Sequence, residues 1–436
     1  MSRAGVDVRC CARVVRNAEA LADTSIFISG NALELVPAGQ TDGERHSFSR
    51  IYDDHASDKD IYEAEMLPLL EGLVGGSNAS VVIMGHHRGG HTALVNTLVP
   101  LIVDVIFDLM QQRQAVAGGQ GGRLTYQLHA SAAAVVIGST DKMADMLAPG
   151  SSELRVVRDA DAPNGVQLPG IRRQQVTAGA EFAKAFSTAR KRQEQQHRPP
   201  APSTALFLEL TQSVQRGGPA GAASGPTEEL VSQLILTDVE VGSLGDPLSA
   251  GVRTVLSTPP TRPTPPTGAA LLLSEAVGGN SRALLLGCVM PSDIEESAVT
   301  LGLLAQGMGF RNYPLVNDSL TRGLLHRHYW HTQTLHESLV AAEGKIRRGV
   351  DQISSDQQHI PNQLSFATER LQSLVDTMQQ DSAGQATERQ QLMAEVSGAA
   401  SSAPSRPRIL TPSPTRTLTP TRTLAIAPLA SSSPGR

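Results

Sequence analysis

Gly85-His86-His87-Arg88-Gly89-Gly90-His91-Thr92 carries the clearest chemistry of any stretch in this chain. An apolar run, Val81-Val82-Ile83-Met84, precedes it, and a helical pattern through Leu94, Leu98, Leu101 and Val105 follows. Strand, glycine-rich turn and helix in that order aim backbone N–H groups at a phosphate, and the helix N-terminus adds the positive end of its dipole. The spacing fits G-x-x-x-x-G-K-[ST], with Gly85, Gly90 and Thr92 in place and His91 where the lysine belongs. Thr92 offers a hydroxyl to a divalent cation. A largely neutral His91 weakens the phosphate contact by about 1.5–3 kcal/mol relative to a charge-assisted one. His86, His87 and His91 are also metal-ligand types, two of them four apart. The reading adopted is a loop that has drifted from its lysine, and no metal site is expected.

The elements that must position this loop are legible from Val6 to Asp318. Val135-Val136-Ile137, Leu206-Phe207-Leu208 with Leu210, Leu234-Ile235-Leu236 and Leu284-Leu285-Leu286 read as further strands. Apolar runs without alternation suit central strands covered on both faces. Strands interleaved with helices predict an α/β layered sheet with helices on both faces. Gly217–Pro226 and Thr258–Thr267 (T-P-P-T-R-P-T-P-P-T) are expected to be surface loops.

Composition excludes several classes. Aromatics are 3% of the 436 residues, too few for a base-stacking platform, and the net charge of -5 is no nucleic-acid footprint. Cys10, Cys11 and Cys288 are too scattered for a disulfide framework, which fits a reducing compartment. Met1–Cys11, with Arg3, Asp7 and Arg9, is not expected to be a signal peptide. The apolar stretch Leu94–Met110 contains Asn96, Asp104 and Asp108 and falls short of the roughly 20 residues of a membrane span.

Beyond Asp318, Leu339, Ile346, Val350, Ile353, Ile360, Leu364, Ala367, Leu371, Leu374 and Met378 follow one heptad frame, with Glu343 and Gln357 in its two remaining slots. That spacing predicts a coiled coil over residues 319–398, kinked or split at Pro361. Self-association and a helical pair folded back on the head are both compatible with it. Residues 399–436 are disordered by composition and hold the tandem Ser413–Leu418 and Thr419–Leu424. Five arginines and no acid give this tail +5, which leaves -10 on the other 398 residues. Thr411, Ser413, Thr419 and Ser433 each precede proline, and phosphorylation there would erase the tail's positive charge.

Further segments carry a family resemblance. Phe48–Tyr62, followed by Leu67-Pro68-Leu69, resembles the stretch F-x-x-V-F-x-x-x-A-S-Q-x-x-V-Y that leads into the P-loop of kinesin motor domains. Ala12-Arg13-Val14 is similar to their first strand, C-R-V-R-P. Leu154-Arg155-Val156 with Asn164-Gly165-Val166 and Pro169-Gly170 resembles L-x-[IV]-R-E…G-V-x-V-x-G-L. Gly278-Gly279-Asn280-Ser281-Arg282 matches G-G-N-[SC]-[KR], Pro291-Ser292-Asp293 resembles S-P-x-D, and Phe310–Pro314 with Val316-Asn317 resembles I-[KR]-N-x-P-x-[VI]-N. These anchors fall in family order across residues 6–318.

The resemblance implies a kinesin-like P-loop NTPase head (6–318), a helical neck or coiled coil (319–398) and a basic tail (399–436). It also implies ATP with Mg²⁺ as ligand and microtubules as partner. Carried over, the nucleotide-binding set is Gly85, His86, His87, Arg88, Gly89, Gly90, His91 and Thr92, with Arg13 on the adenine side. Asp238 and Gly242 remain of switch II, where D-L-A-G-S-E reads Asp238-Val239-Glu240-Val241-Gly242-Ser243. Its glycine is Val241 or is shifted by one to Gly242, and its glutamate is missing. Switch I, N-x-x-S-S-R-S-H, reads His197–Thr204 without the arginine and with Ala201 for the metal-facing serine. The tubulin-facing P-Y-R-D-S-K-L-T-R aligns to Pro263–Leu271 with all three basic residues gone, after a shortened helix Leu248–Leu256 that carries Arg253. Phosphoryl transfer rests on positioning and charge, so these losses argue against hydrolysis. The expectation is a kinesin-like pseudo-motor, with a head and helices that bind or scaffold, dimerise through the coiled coil and touch microtubules weakly or through the tail. Its expected place is the cytoplasm and cytoskeleton, at cilium or centriole by analogy. An active motor and a nucleotide-gated switch without hydrolysis are the alternatives.

Overall fold

The computed structural model describes residues 5–15, 26–36, 43–119, 123–151, 153–159, 161–196, 202–215, 227–243, 245–257, 268–356 and 361–401. The apolar runs become strands of one mixed sheet. These are β1 (Arg9–Val14), β2 (Arg50–Tyr52), β3 (Asn78–Gly85), β4 (Arg123–Val135), β5 (Lys142–Asp145), β6 (Leu154–Arg155), β7 (Thr204–Gln215), β8 (Thr227–Glu240) and β9 (Ser281–Val289). Their order is β6-β5-β4-β7-β8-β3-β9-β1-β2, with Gln174–Gln175 added against β4. The half from β8 to β2 is parallel, and its register sets Asp238 opposite Ile83 and Glu240 opposite Gly85.

Helices α1 (Leu67–Val74), α2 (His91–Gly119) and α3 (Gly179–Gln196) cover one face, and α4 (Pro247–Ser257) and α5 (Ile294–Gly307) cover the other. Val81 and Ile83 belong to the layer with α1–α3, whereas Val82 and Met84 belong to the layer with α4 and α5. A strand covered on both sides is apolar at every position, which is why the run does not alternate. Each such side chain contributes roughly 1.5–3 kcal/mol by leaving water.

Two expectations need correction. The strand placed at Val135–Ile137 ends at Val135, because the chain turns at Gly138 (φ +83°) and leaves Ile137 43% exposed. The apolar helix is longer than Leu94–Met110, at 29 residues, and by length and hydropathy passes as a membrane span. Its Leu94, Leu98, Ile102 and Ile106 are nevertheless fully buried in the core against the sheet. The heptad segment divides into two helices at Pro361, the split that the proline predicts. The chain forms α6 (Ser319–Asp356) and α7 (Pro361–Ser401), with the second helix opening at Pro361, where a missing N–H costs nothing. The two pack on each other, and His328 of α6 feels the charges of Glu388 and Arg389 of α7, so they run antiparallel. Leu339, Ile346, Leu371 and Met378 are half-buried, whereas Val350 and Leu374 of the same frame are exposed.

Several motif residues prove to be fold-holding. Asn280 Nδ2 donates to Asn317 Oδ1 at 3.0 Å, and Asn317 Nδ2 donates to Asn78 Oδ1 at 2.7 Å, all three being buried. This chain of amides ties the starts of β9 and β3 to the end of the head. Gly287 shows how closely α5 lies on β9: a Cβ there would stand 2.4 Å from Leu304 Cδ1 and 3.0 Å from Thr300 Cγ2. Gly287→Val is expected to destabilise the head by about 1–3 kcal/mol in urea unfolding, through overpacking. An unchanged midpoint would show that α5 can shift freely.

Candidate functional site

β3 delivers the glycine-rich loop to the C-terminal edge of the parallel half-sheet, where such sheets place their ligands. Gly85 O accepts from Val241 N at 2.7 Å, fastening the end of β8 to the loop. Gly90 takes φ +76°, and α2 starts at His91. A Cβ at Gly85 or at Gly89 would lie 2.9 Å from Cys288 O, so both positions need glycine to pass under β9.

The loop keeps this shape but spends its donors internally. Gly89 N donates to His86 O at 2.7 Å, and Arg88 N donates to His86 Nδ1 at 3.3 Å. Gly242, at φ +96°, is the glycine of the turn after β8, and Val241 is buried core. The Gly242 N–H donates to Ser249 Oγ at 3.2 Å.

His91, at the lysine position, is buried and faces inward. Its Nε2 lies 3.6 Å from Asp238 Oδ1 and 3.5 Å from Glu240 Oε2. Burial lowers its pKa, more than the Asp238 charge raises it, so it is neutral at pH 7. His86 is also lowered by burial, with Nε2 3.7 Å from Asp293 Oδ2, and His87 is exposed. The three imidazoles therefore do not converge on a common point. Arg13 pairs with Asp58 at 2.5 Å, on the side where Val15 flanks Gly90.

The residue that organises the site was not singled out from the sequence. Arg190, on α3, is 4% exposed; its Nη1 donates to Thr204 Oγ1 at 2.7 Å and its Nη2 donates to Asp238 Oδ2. Thr92 Oγ1 donates to the same Asp238 oxygen at 3.1 Å. Burial works against the Asp238 charge, but the Arg190 guanidinium, by its charge and its hydrogen bond, holds the carboxyl below the usual range. The signal was present: Phe182, Phe186, Ala189 and Arg190 share the inward face of an amphipathic helix. An arginine on an apolar stripe requires a buried acceptor. Of His197–Thr204, only 202–204 lie within the described residues. There Ser203 N donates to Asp246 Oδ2 at 2.9 Å and Ser203 Oγ accepts from Glu240 N at 3.0 Å. Gly217–Pro226, Thr258–Thr267 and the tail beyond Ser401 lie outside the described residues.

A "Kinesin motor domain" family profile matches residues 20–199, a span that contains this loop. Over that span the chain is similar to kinesin motor domains. Its head is 28% identical over 174 residues to kinesin-like protein KIF22-A of Xenopus laevis, covering 38% of this chain and 26% of that protein. It is 22% identical over 394 residues to kinesin-like protein KIN-4A of Gossypium hirsutum, covering 74% of this chain and 37% of that one. The chain thus spans about a quarter of the KIF22 relatives it matches. Among solved structures, the KIF14 dimer with AMP-PNP on a microtubule superposes with a TM-score of 0.58 at 17% identity, over 74% of this chain and all of that one. A fast kinesin superposes equally well over 72% of this chain and 94% of that one. These two show the kinesin fold.

The nucleotide-with-Mg²⁺ arrangement that the family implies does not fit the residues present. The lysine position carries a neutral imidazole turned into the core. The Asp238 oxygen that faces Thr92 already holds a guanidinium, and two cations on one buried carboxylate repel. Glu240 gives a measurable consequence. Burial, then the charges of Asp238 and Asp246, push its pKa up to about 8 from 4.5. The folded head therefore holds a proton that the unfolded chain releases, and stability falls as pH rises from about 4.5 to about 8. Glu240→Gln is expected to remove about 2 kcal/mol of that fall, discounted for screening, and to leave the variant more stable than wild type at alkaline pH. Parallel melts across the window check this; identical slopes would count against it.

Proposed function

We propose that this kinesin-like protein is a microtubule- and cytoskeleton-associated pseudo-motor, whose head serves as a folded binding module and has lost ATP turnover. The observation that carries the reading is His91. At the position of the phosphate-binding lysine, it lies buried between Asp238 and Glu240. The loop around it spends the N–H groups of Arg88 and Gly89 on His86. Phosphoryl transfer needs cations aimed at developing charge, and a neutral side chain facing the other way supplies none.

The helices after the head act in this reading as a scaffold arm. Val340, Val350 and Leu374, 46–53% exposed along α6 and α7, support pairing with a second copy. The likeness to kinesin motor domains supports microtubules as the partner. The head's acidic balance gives no steering toward an acidic lattice, so the basic 399–436 segment is the natural tether. The cytoplasmic cytoskeleton is the corresponding location.

The test is microtubule co-pelleting of the purified chain, with and without residues 399–436, in ATP, in ADP and without nucleotide, alongside phosphate release. Pelleting that ignores nucleotide and weakens with the tail removed is expected, with no phosphate released. Nucleotide-sensitive pelleting without phosphate release would instead make the head a nucleotide-gated switch, and phosphate release would restore the motor.

A further inference from the structure

Three separate stretches of chain meet at one guanidinium. Thr92 is the second residue of α2, Thr204 opens β7 and Asp238 lies near the end of β8. Arg190 reaches in from the buried face of α3, with Nη1 on Thr204 Oγ1 at 2.7 Å and Nη2 on Asp238 Oδ2, the oxygen that Thr92 also bonds at 3.1 Å. Two hydroxyls and a carboxylate from three segments make a donor set of the kind a hard divalent ion gathers. Here a planar fork of N–H donors gathers it, suiting two acceptors at once.

We infer that Arg190 is a tethered resident cation that takes over the structural work of a metal ion in this head, pinning Thr92, Thr204 and Asp238 in one arrangement that does not respond to Mg²⁺. The inference rests on the reading that the head does not turn over ATP.

Charge and covalent attachment support it. Arg190 and Asp238 are 4% and 3% exposed and neutralise one another. A divalent ion entering here must displace the guanidinium, leaving a buried, unpaired arginine beside the newcomer, a strongly unfavourable state. A metal ion arrives and departs with its ligand, whereas Arg190 is fixed in α3, whose Phe182 and Phe186 anchor it in the core. The surrounding backbone is stitched down in the same sense. Ser203 N and the amides of Leu248 and Ser249 all donate to Asp246, so the start of β7 and the start of α4 share one carboxylate. Segments that must move apart for a nucleotide cycle are here cross-tied through side chains of this chain alone.

Hydrogen–deuterium exchange on the full chain tests this, in EDTA, in millimolar MgCl₂, and in MgCl₂ with ADP. Exchange of segments 85–94, 202–206 and 238–246 is expected to agree within about twofold across the three conditions. Arg190→Gln is expected to raise exchange in those segments on the order of a hundredfold, because one partner of a buried pair is removed. Slowing by Mg²⁺ or Mg²⁺–ADP in the wild type would overturn the inference, as would unchanged protection in Arg190→Gln. If that variant does not fold, Arg190→Lys keeps the charge but cannot fork. It should then loosen 202–206 while sparing 238–246, and no loosening there would overturn the inference too. Phosphate release run in parallel separates the two readings. Turnover with Mg²⁺-insensitive exchange sinks only the pseudo-motor, and Mg²⁺-sensitive exchange without turnover sinks only the resident cation.

Discussion

Replacing Arg190 by methionine is expected to cost the folded head about 3–5 kcal/mol, and replacing Asp238 by asparagine as well is expected to recover most of that loss. The asymmetry follows from burial. Alone, the methionine variant leaves Asp238 charged at 3% exposure with only the Thr92 hydroxyl and a neutral His91 nearby. In the double variant no charge is stranded, and an amide at 238 still accepts from Thr92. The coupling between the two substitutions should therefore be at least about 2–3 kcal/mol in urea unfolding of wild type, both single variants and the double, since the asparagine alone strands the buried guanidinium. Additive costs would mean that the guanidinium and carboxylate do not act as a pair in solution.

Phosphate release from Mg²⁺–ATP is expected at background, with or without microtubules, and His91→Lys alone is not expected to raise it. Two defects act together. Removing a charged contact to the transferring group costs roughly 10²–10³ in rate, and losing a cation that offsets transition-state charge costs 10³ or more, so a deficit on the order of 10⁵ is reasonable. A lysine at 91 would emerge where His91 now faces Asp238 and Glu240, with Arg190 still on Asp238. Its ammonium would pair with the Glu240 carboxyl, whose pKa would then fall, before it reached any phosphate. Clear stimulation of wild-type turnover by microtubules would end the pseudo-motor reading, and rescue by His91→Lys would show that the lysine was the whole defect.

Much of this was legible along the chain. The run at Val81–Met84, the glycines at 85 and 90 and the helix beyond them are local, and local patterning is what a sequence displays. Family anchors such as Asn280 and Asn317 were recognisable by type. Their work, bonding each other and Asn78 across 37 and 239 positions, was not. The split at Pro361 followed from the missing N–H of proline. Whether the heptad residues would face a second copy or each other did not, because a hairpin and a dimer bury the same stripe.

The sequence alone determined the α/β layering, the loop–helix junction at Gly85–Thr92 and the absence of its lysine, since each depends on residues close in the chain. Only the tertiary structure decided what fills the site. Arg190 stands 48 positions from Asp238, and Thr92 stands 146 from it. Their meeting depends on sheet order and helix packing, and a buried charge selects its partner by proximity in space.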